Sequence, residues 1–419
     1  MKDLLKPHSI LILLGPGGVG KTTMAAALGV AAARARLNTA VITVDPAARL
    51  RDALGLARLG GKPTRLDPRR LRAAGLDPAL KLSAMVLDVK GEWDAMVAEH
   101  VSDPAARRRI LDNPFYQSLS SQFAGADAYA ALEALHDLHG AGRFDFQVVD
   151  TPPAAHAFEF VQAPARLVRL LDSQAARLLF APSTLSASLA LRLASHATRF
   201  VARELERFTG PSMLLSIAEF FAAAAGATGG MAARMRKVEA LLRSPAVRFA
   251  LVTTAEPERL HQARRLVGEM EAERLHLGAI VINRFIDEAV WQSCNASRGT
   301  SRLGILEEVA PLREALGVSK PADDGAEAVA AYLEGYRERA RRGMRRVARF
   351  VEEIGPRVPV VIAPEIRPRT SSLIALGPLA DFLLASPIVR GREGAPEAAL
   401  KRSRPPSARP DAAAAQMPE

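Results

Sequence analysis

Nine consecutive residues near the start of the chain have the types and spacing to hold a polyphosphate. Gly15-Pro16-Gly17-Gly18-Val19-Gly20-Lys21-Thr22-Thr23 fits the pattern G-x-x-x-x-G-K-[ST]. Glycines let successive backbone N–H groups turn inward around a phosphate, and a helix beginning at Lys21 adds partial positive charge. Gly17, Gly18, Val19, Gly20 and Thr23 are the expected cradle. Lys21 is placed to reach the β- and γ-phosphates, and Thr22 to offer its hydroxyl to Mg²⁺.

Two aspartates match the same chemistry. Asp45 follows a buried run in VITVDPAARL, and Asp150 follows another in FQVVDTPPAAH. In open α/β sheets the ligand crevice lies outside the carboxyl ends of the strands. A carboxylate there can hold an Mg²⁺-bound water, and a second can orient an attacking water. Aspartate is also a favoured helix cap, so either one alone reads equally as a cap. As a pair beside a phosphate loop they read as phosphoryl-transfer groups.

Strands and helices must position these residues. Ser9–Leu14 (SILILL) reads as a buried strand, because strands covered on both faces lose polar alternation. Lys21–Arg36, rich in Ala and Leu, reads as the helix after the loop. Thr39–Val44, Phe146–Val149, Arg248–Thr254, Gly278–Asn283 and Val358–Ala363 read as five more strands. Strands separated by long helical stretches predict a doubly wound, mainly parallel α/β sheet. Residues 50–145 and 165–245 are helical in pattern, and the second interval is expected to be a helical subdomain inserted into residues 1–390. Residues 391–419, rich in Ala, Pro and Arg, are expected to be a disordered tail.

Composition narrows the classes. The chain has 419 residues, 49% hydrophobic and 24% charged, which excludes a wholly disordered protein. Its net charge of +11 rests on arginine, since only nine of 56 cations are lysine. Such a surplus invites anionic partners, but an Ala/Arg-rich coding bias gives the same arithmetic. The helical pattern from Glu327 to Glu353 carries Arg337, Arg339, Arg341, Arg342, Arg345, Arg346 and Arg349 interleaved with glutamates. It reads as a solvated surface helix, so no nucleic acid is expected. No stretch is long and apolar enough for a convincing membrane span. The single cysteine, Cys294, excludes an intrachain disulfide and a cysteine-cluster metal site.

Taken together, these segments resemble the ArsA-type ATPases. The resemblance rests on GGVGKTT at 17–23, TVDPA at 43–47, VVDTPPAAHAFEFVQAP at 148–164, and the later VTTAEPERL and IVINR segments. It implies ATP as substrate, Mg²⁺ as cofactor, and a homodimer acting on a client protein or membrane partner in the cytoplasm. It also implies that Asp45 positions the hydrolytic water and Asp150 stands near Mg²⁺. Asn283 and Pro364, the latter within VPVVIAPE, would contact the adenine.

The departures from the pattern are specific. The family's loop carries a lysine where this chain has Pro16, and Arg49 or Arg51 is the candidate replacement cation. A three-thiolate arsenite site and a shared Cys-x-x-Cys zinc clamp both need more than Cys294, so arsenite pumping is disfavoured. The apolar residues of 176–235 suit either a groove for a hydrophobic helix or, with more weight, subdomain core and dimer contact. Two rivals stand beside the ATPase reading: a MinD/ParA-like ATPase on membrane or DNA, and a nucleotide-bound scaffold that hydrolyses weakly.

Overall fold

Every residue of Ser9–Leu14 (β1) is buried, and its side chains divide between two cores. Ile10, Ile12 and Leu14 enter one apolar cluster while Leu11 and Leu13 enter the other. Period-two alternation with both faces covered is what a central parallel strand requires. The computed structural model describes residues 4–44, 49–122, 126–151, 228–285, 323–356, 358–365 and 373–385, with single positions between 162 and 223. Asp45, Cys294, the tail from 391 and most of the expected insertion at 165–245 lie outside the described residues.

The described strands form one eight-stranded sheet. After β1 come Thr39–Thr43 (β2), Thr64–Arg65 (β3), Leu82–Val86 (β4), Phe146–Asp150 (β5), Val247–Thr253 (β6), Leu277–Phe285 (β7) and Val360–Pro364 (β8). Their order is β3-β4-β2-β5-β1-β6-β7-β8. Every neighbouring pair is parallel except β3 with β4. The expected doubly wound, mainly parallel sheet is therefore present. The interval 50–145, however, is not wholly helical, because it contributes β3 and β4. The segment LSAMV is short, with a polar residue inside it. It becomes a strand because β2 offers an open parallel edge, a nonlocal partner that periodicity cannot register.

Helices cover both faces. Lys21–Arg34 (α1), Arg49–Ala53 (α2), Pro68–Ala73 (α3) and Leu373–Ala385 (α11) supply one core. The other is built from Val89–His100 (α4), Pro104–Leu111 (α5), Pro114–Gln122 (α6), Ala126–Gly140 (α7), Thr228–Leu242 (α8), Pro257–Ala272 (α9) and Asp323–Ile354 (α10). Helix α1 stops two residues before the sequence expectation. Arg36 turns to a φ of 71° and the Leu37 amide closes on the Ala32 carbonyl, a left-handed helix end.

One arginine ties the helices on the second face together. Arg234 of α8 bonds Glu133 of α7 through Nε at 2.5 Å. Its two other nitrogens reach Glu99 of α4 at 2.9 Å and Asp137 of α7 at 2.6 Å. Burial opposes the charge, yet the Glu133 hydrogen bond and three carboxylates outweigh it and hold the guanidinium above its ordinary pKa. The Glu133 side chain is only 5% exposed, so removal of Arg234 takes a counter-charge away from a buried carboxylate. Arg234→Met should cost about 2–4 kcal/mol in urea unfolding, and adding Glu133→Gln should recover part of that loss.

The same cluster has an unfavourable member. Desolvation, then Asp137, Asp88 and Glu133, push the Glu92 carboxyl above its ordinary 4.5, against a smaller opposing effect of Arg234. A carboxyl raised on folding adds stability while protonated and loses it as pH climbs through the folded pKa. Glu92→Gln should therefore raise the melting temperature relative to wild type at pH 7.5. The difference should shrink as the pH falls toward 4.5. Thermal melts across that range give the comparison.

Candidate functional site

The sheet order brings β2, β5 and β1 side by side, so the loops beyond their carboxyl ends share one crevice. Register makes the arrangement specific. Asp150 stands opposite Leu13 of β1 and opposite Thr43 of β2. From that position its Oδ2 accepts the Thr22 hydroxyl at 2.7 Å and the Thr43 hydroxyl at 3.2 Å. Thr151 donates its own hydroxyl to the Leu13 carbonyl at 2.6 Å, locking the end of β5 onto β1. Asp150 is a buried strand-end carboxylate that accepts one hydroxyl from the first turn of α1 and one from the end of β2.

The phosphate loop joins β1 to α1 as the sequence requires. Gly18 and Gly20 take φ values of 78° and 89°, in the left-handed region open to glycine. A Cβ at Gly20 would stand 2.5 Å from Asn283 Nδ2, so both conformation and space demand glycine. The first turn of α1 contains no acidic residue, and Gly20 offers no side-chain cap. The leading amides are thus left to an anion. Lys21 is buried and folds back across the loop, donating to the carbonyls of Gly15 at 2.9 Å and Pro16 at 3.1 Å. Val19 is buried beneath the loop, and Thr23 is exposed on α1.

These groups fit the ligands the sequence suggests. The hydroxyl of Thr22 and the carboxylate of Asp150 form an all-oxygen pair at the loop, the donor chemistry Mg²⁺ prefers. The glycine turn, the amides of α1 and Lys21 together suit a polyphosphate.

Other expected residues fall in different places. Asn283 ends the buried run of β7, and its Nδ2 donates to the Val19 carbonyl at 2.8 Å, bracing the phosphate loop from the next-but-one strand. Pro364 closes β8 opposite Phe285. Arg49 and Arg51 lie on α2, and Arg51 pairs with Asp52 at 3.0 Å. Pro16 is buried.

A cleft of about 630 Å³ opens from the loop between the ends of β6 and β7, the start of α9, and α10. Gly17, Gly18 and Val19 line it together with five arginines: Arg259, Arg284, Arg339, Arg342 and Arg346. The expected solvated helix is present, with Arg339, Arg342 and Arg346 exposed. Spaced by three and four residues, these three share one face of α10 and line the cleft together with the phosphate loop. That spacing is visible in the sequence, but the buried residues on the other side of the helix, Ala340, Met344 and Val347, are needed to orient it. Thr43 and Arg284 gave no signal of their own beyond adjacency to Asp45 and Asn283.

A phosphate loop after β1, a metal-compatible hydroxyl–carboxylate pair, and a crevice at the carboxyl edge of a doubly wound sheet define a P-loop nucleoside triphosphatase. The model of the anion-transporting ATPase family matches residues 8–309, and the chain belongs to that family of ATPases. It is 27% identical to the ATPase get3 of Aspergillus terreus over 328 residues, covering 73% of this chain and 82% of the relative. The ATPase get3 of Aspergillus niger is 26% identical over a similar span, 81% of its own length. An uncharacterized protein of Streptomyces coelicolor is 37% identical over 179 residues, covering 40% of this chain and 42% of the relative.

The geometry at Gly20 yields a direct test. Gly20→Ala puts a methyl group against the Asn283 amide at a φ that disfavours alanine. The variant should lose at least about tenfold in ATP affinity, measured with a fluorescent nucleotide, while its far-ultraviolet circular dichroism stays that of the wild type.

Proposed function

We propose that the chain is a Mg²⁺-dependent ATPase that hydrolyses ATP as a homodimer and uses closure of its helical regions to act on a client protein or membrane partner. The observation that carries the reading is the contact of Thr22 with Asp150 at the foot of the phosphate loop. It joins the nucleotide loop to the strand whose following segment would respond to hydrolysis.

In this reading Lys21 leaves the Gly15 and Pro16 carbonyls and moves its ammonium onto the terminal phosphates of ATP. The loop amides from Gly17 to Thr23 hold the phosphate chain in line for displacement. Thr22 and Asp150 would hold Mg²⁺. When bound, the ion neutralises charge on the phosphate oxygens. Asp45 orients the attacking water and accepts its proton. Water attacks the γ-phosphorus, the bond to the β–γ bridging oxygen breaks, inorganic phosphate and ADP leave, and Asp45 releases the proton to solvent. Asn283 keeps the loop in register through Val19, and Pro364 flanks the adenosine end.

Beyond the catalytic core, we take residues 1–390 as one ATPase domain with a helical subdomain inserted at about 165–245, followed by a tail at 391–419. Among the described residues no helix is long and apolar enough to cross a membrane. A single cysteine leaves a three-thiolate arsenite site out of reach within one subunit, so the anion in the family's name is not assigned here.

Steady-state phosphate release and light scattering test the proposal together. Lys21→Ala and Asp45→Asn should each lower turnover by roughly 100-fold or more, and omission of Mg²⁺ should abolish it. Addition of ATP to Asp45→Asn should raise the dimer fraction. A wild-type chain that binds ATP, does not turn it over and changes partners only with nucleotide state would instead be the scaffold.

A further inference from the structure

Arg284 sits in the structure in a manner its neighbours do not explain. It adopts a φ of 53°, a left-handed conformation that a long side chain seldom takes. It does so where the register of β7 on β8 shifts between Ile282 and Phe285. Strand residues on either side are buried, whereas Arg284 is exposed and lines the cleft with Gly17 and Gly18. Its Nε comes within 3.8 Å of where a Cβ on Gly20 would stand, so the guanidinium lies over the start of α1. Among the described residues it forms no ion pair, although Arg342 on the same cleft bonds Glu338 at 2.8 Å and Arg259 lies 3.9 Å from Glu256. Close by, the buried Thr254 hydroxyl lines the cleft without a hydrogen-bond partner among the described residues.

We propose that Arg284 is a phosphate-binding residue of the nucleotide site, clamping the phosphate chain from the β7 side while Lys21 and the loop amides hold it from the other. This rests on the ATPase reading above and adds a residue to it. The bulge and the left-handed backbone turn an otherwise buried strand position outward onto the loop. A guanidinium without a carboxylate partner keeps its five donors for phosphate oxygens, which it can meet two at a time.

The test compares three chains, wild type, Arg284→Asn and Arg284→Lys, with two probes, ATP and inorganic tripolyphosphate. Asparagine tolerates the left-handed backbone, so Arg284→Asn removes the charge without forcing the bulge to change. Affinity is measured by calorimetry at several salt concentrations, with melting temperature recorded for each chain. The clamp predicts a loss of roughly 10- to 100-fold for both probes in Arg284→Asn. It also predicts partial rescue in Arg284→Lys, a shallower salt dependence in Arg284→Asn, and unchanged melting temperatures. Loss of ATP affinity with tripolyphosphate binding intact would place Arg284 on the nucleoside and overturn the clamp, as would wild-type affinity for both probes in Arg284→Asn. A wild-type chain that binds neither probe overturns the ATPase reading itself and the clamp with it.

Discussion

The carboxylate of Asp150 is the contact on which the arrangement of the site depends. It ends β5, the strand inserted between β1 and β2, and it accepts hydroxyls from Thr22 and Thr43 on the two sides. A carboxylate 1% exposed is costly unless hydrogen-bonded, so these contacts tie the end of β5 to the end of β2 and to the first turn of α1. The register of β5 sets the phosphate loop after β1 beside the end of β2, where the segment of Asp45 begins. A one-residue slip of β5 would turn Asp150 to the other face of the sheet and dissolve the site. The placement of Asp150 beside the phosphate loop and the pairing of β5 are therefore one constraint.

Charge is distributed around that constraint in two ways. On the second helical face, Arg234 is surrounded by Glu99, Glu133 and Asp137, a closed network that joins α4, α7 and α8. Helix α7 leads into β5 and α8 into β6, so the network links elements next to the site without entering it. At the cleft the balance is reversed. Five arginines line it beside Glu256 and Glu365, and Arg342 is also bonded to Glu338, so cations outnumber carboxylates among the described residues of the cleft. Part of the net charge of +11 is thus concentrated beside the phosphate loop. That concentration favours association with an anionic nucleotide and weakens as salt rises.

Much of the fold was legible because its signals are local. Buried strands without polar alternation, a glycine loop of fixed spacing and an Ala-rich helix behind it each follow from a few adjacent residues. Leu82–Val86 was not legible, since its strand character comes from pairing with β2. The early end of α1 at Arg34 was missed for a different reason: a left-handed turn at an arginine leaves no glycine to mark it. At the site, Lys21, Thr22 and Asp150 could be named from sequence, but the role of Asn283 as a brace on Val19 depends on a strand more than 260 residues away.

The sequence by itself determined the phosphate loop: glycines that allow left-handed turns, and a lysine and threonine at the helix start, are written in residue type and spacing. Tertiary structure alone decided which cations face that loop. Arg284, Arg339, Arg342 and Arg346 are widely separated from the loop in sequence and look like any other arginines there. A bulge at the end of β7 and the buried apolar side of α10 turn them onto Gly17 and Gly18. The reason is physical: backbone conformation is set largely by near neighbours, whereas the direction of a long charged side chain is set by what packs behind it.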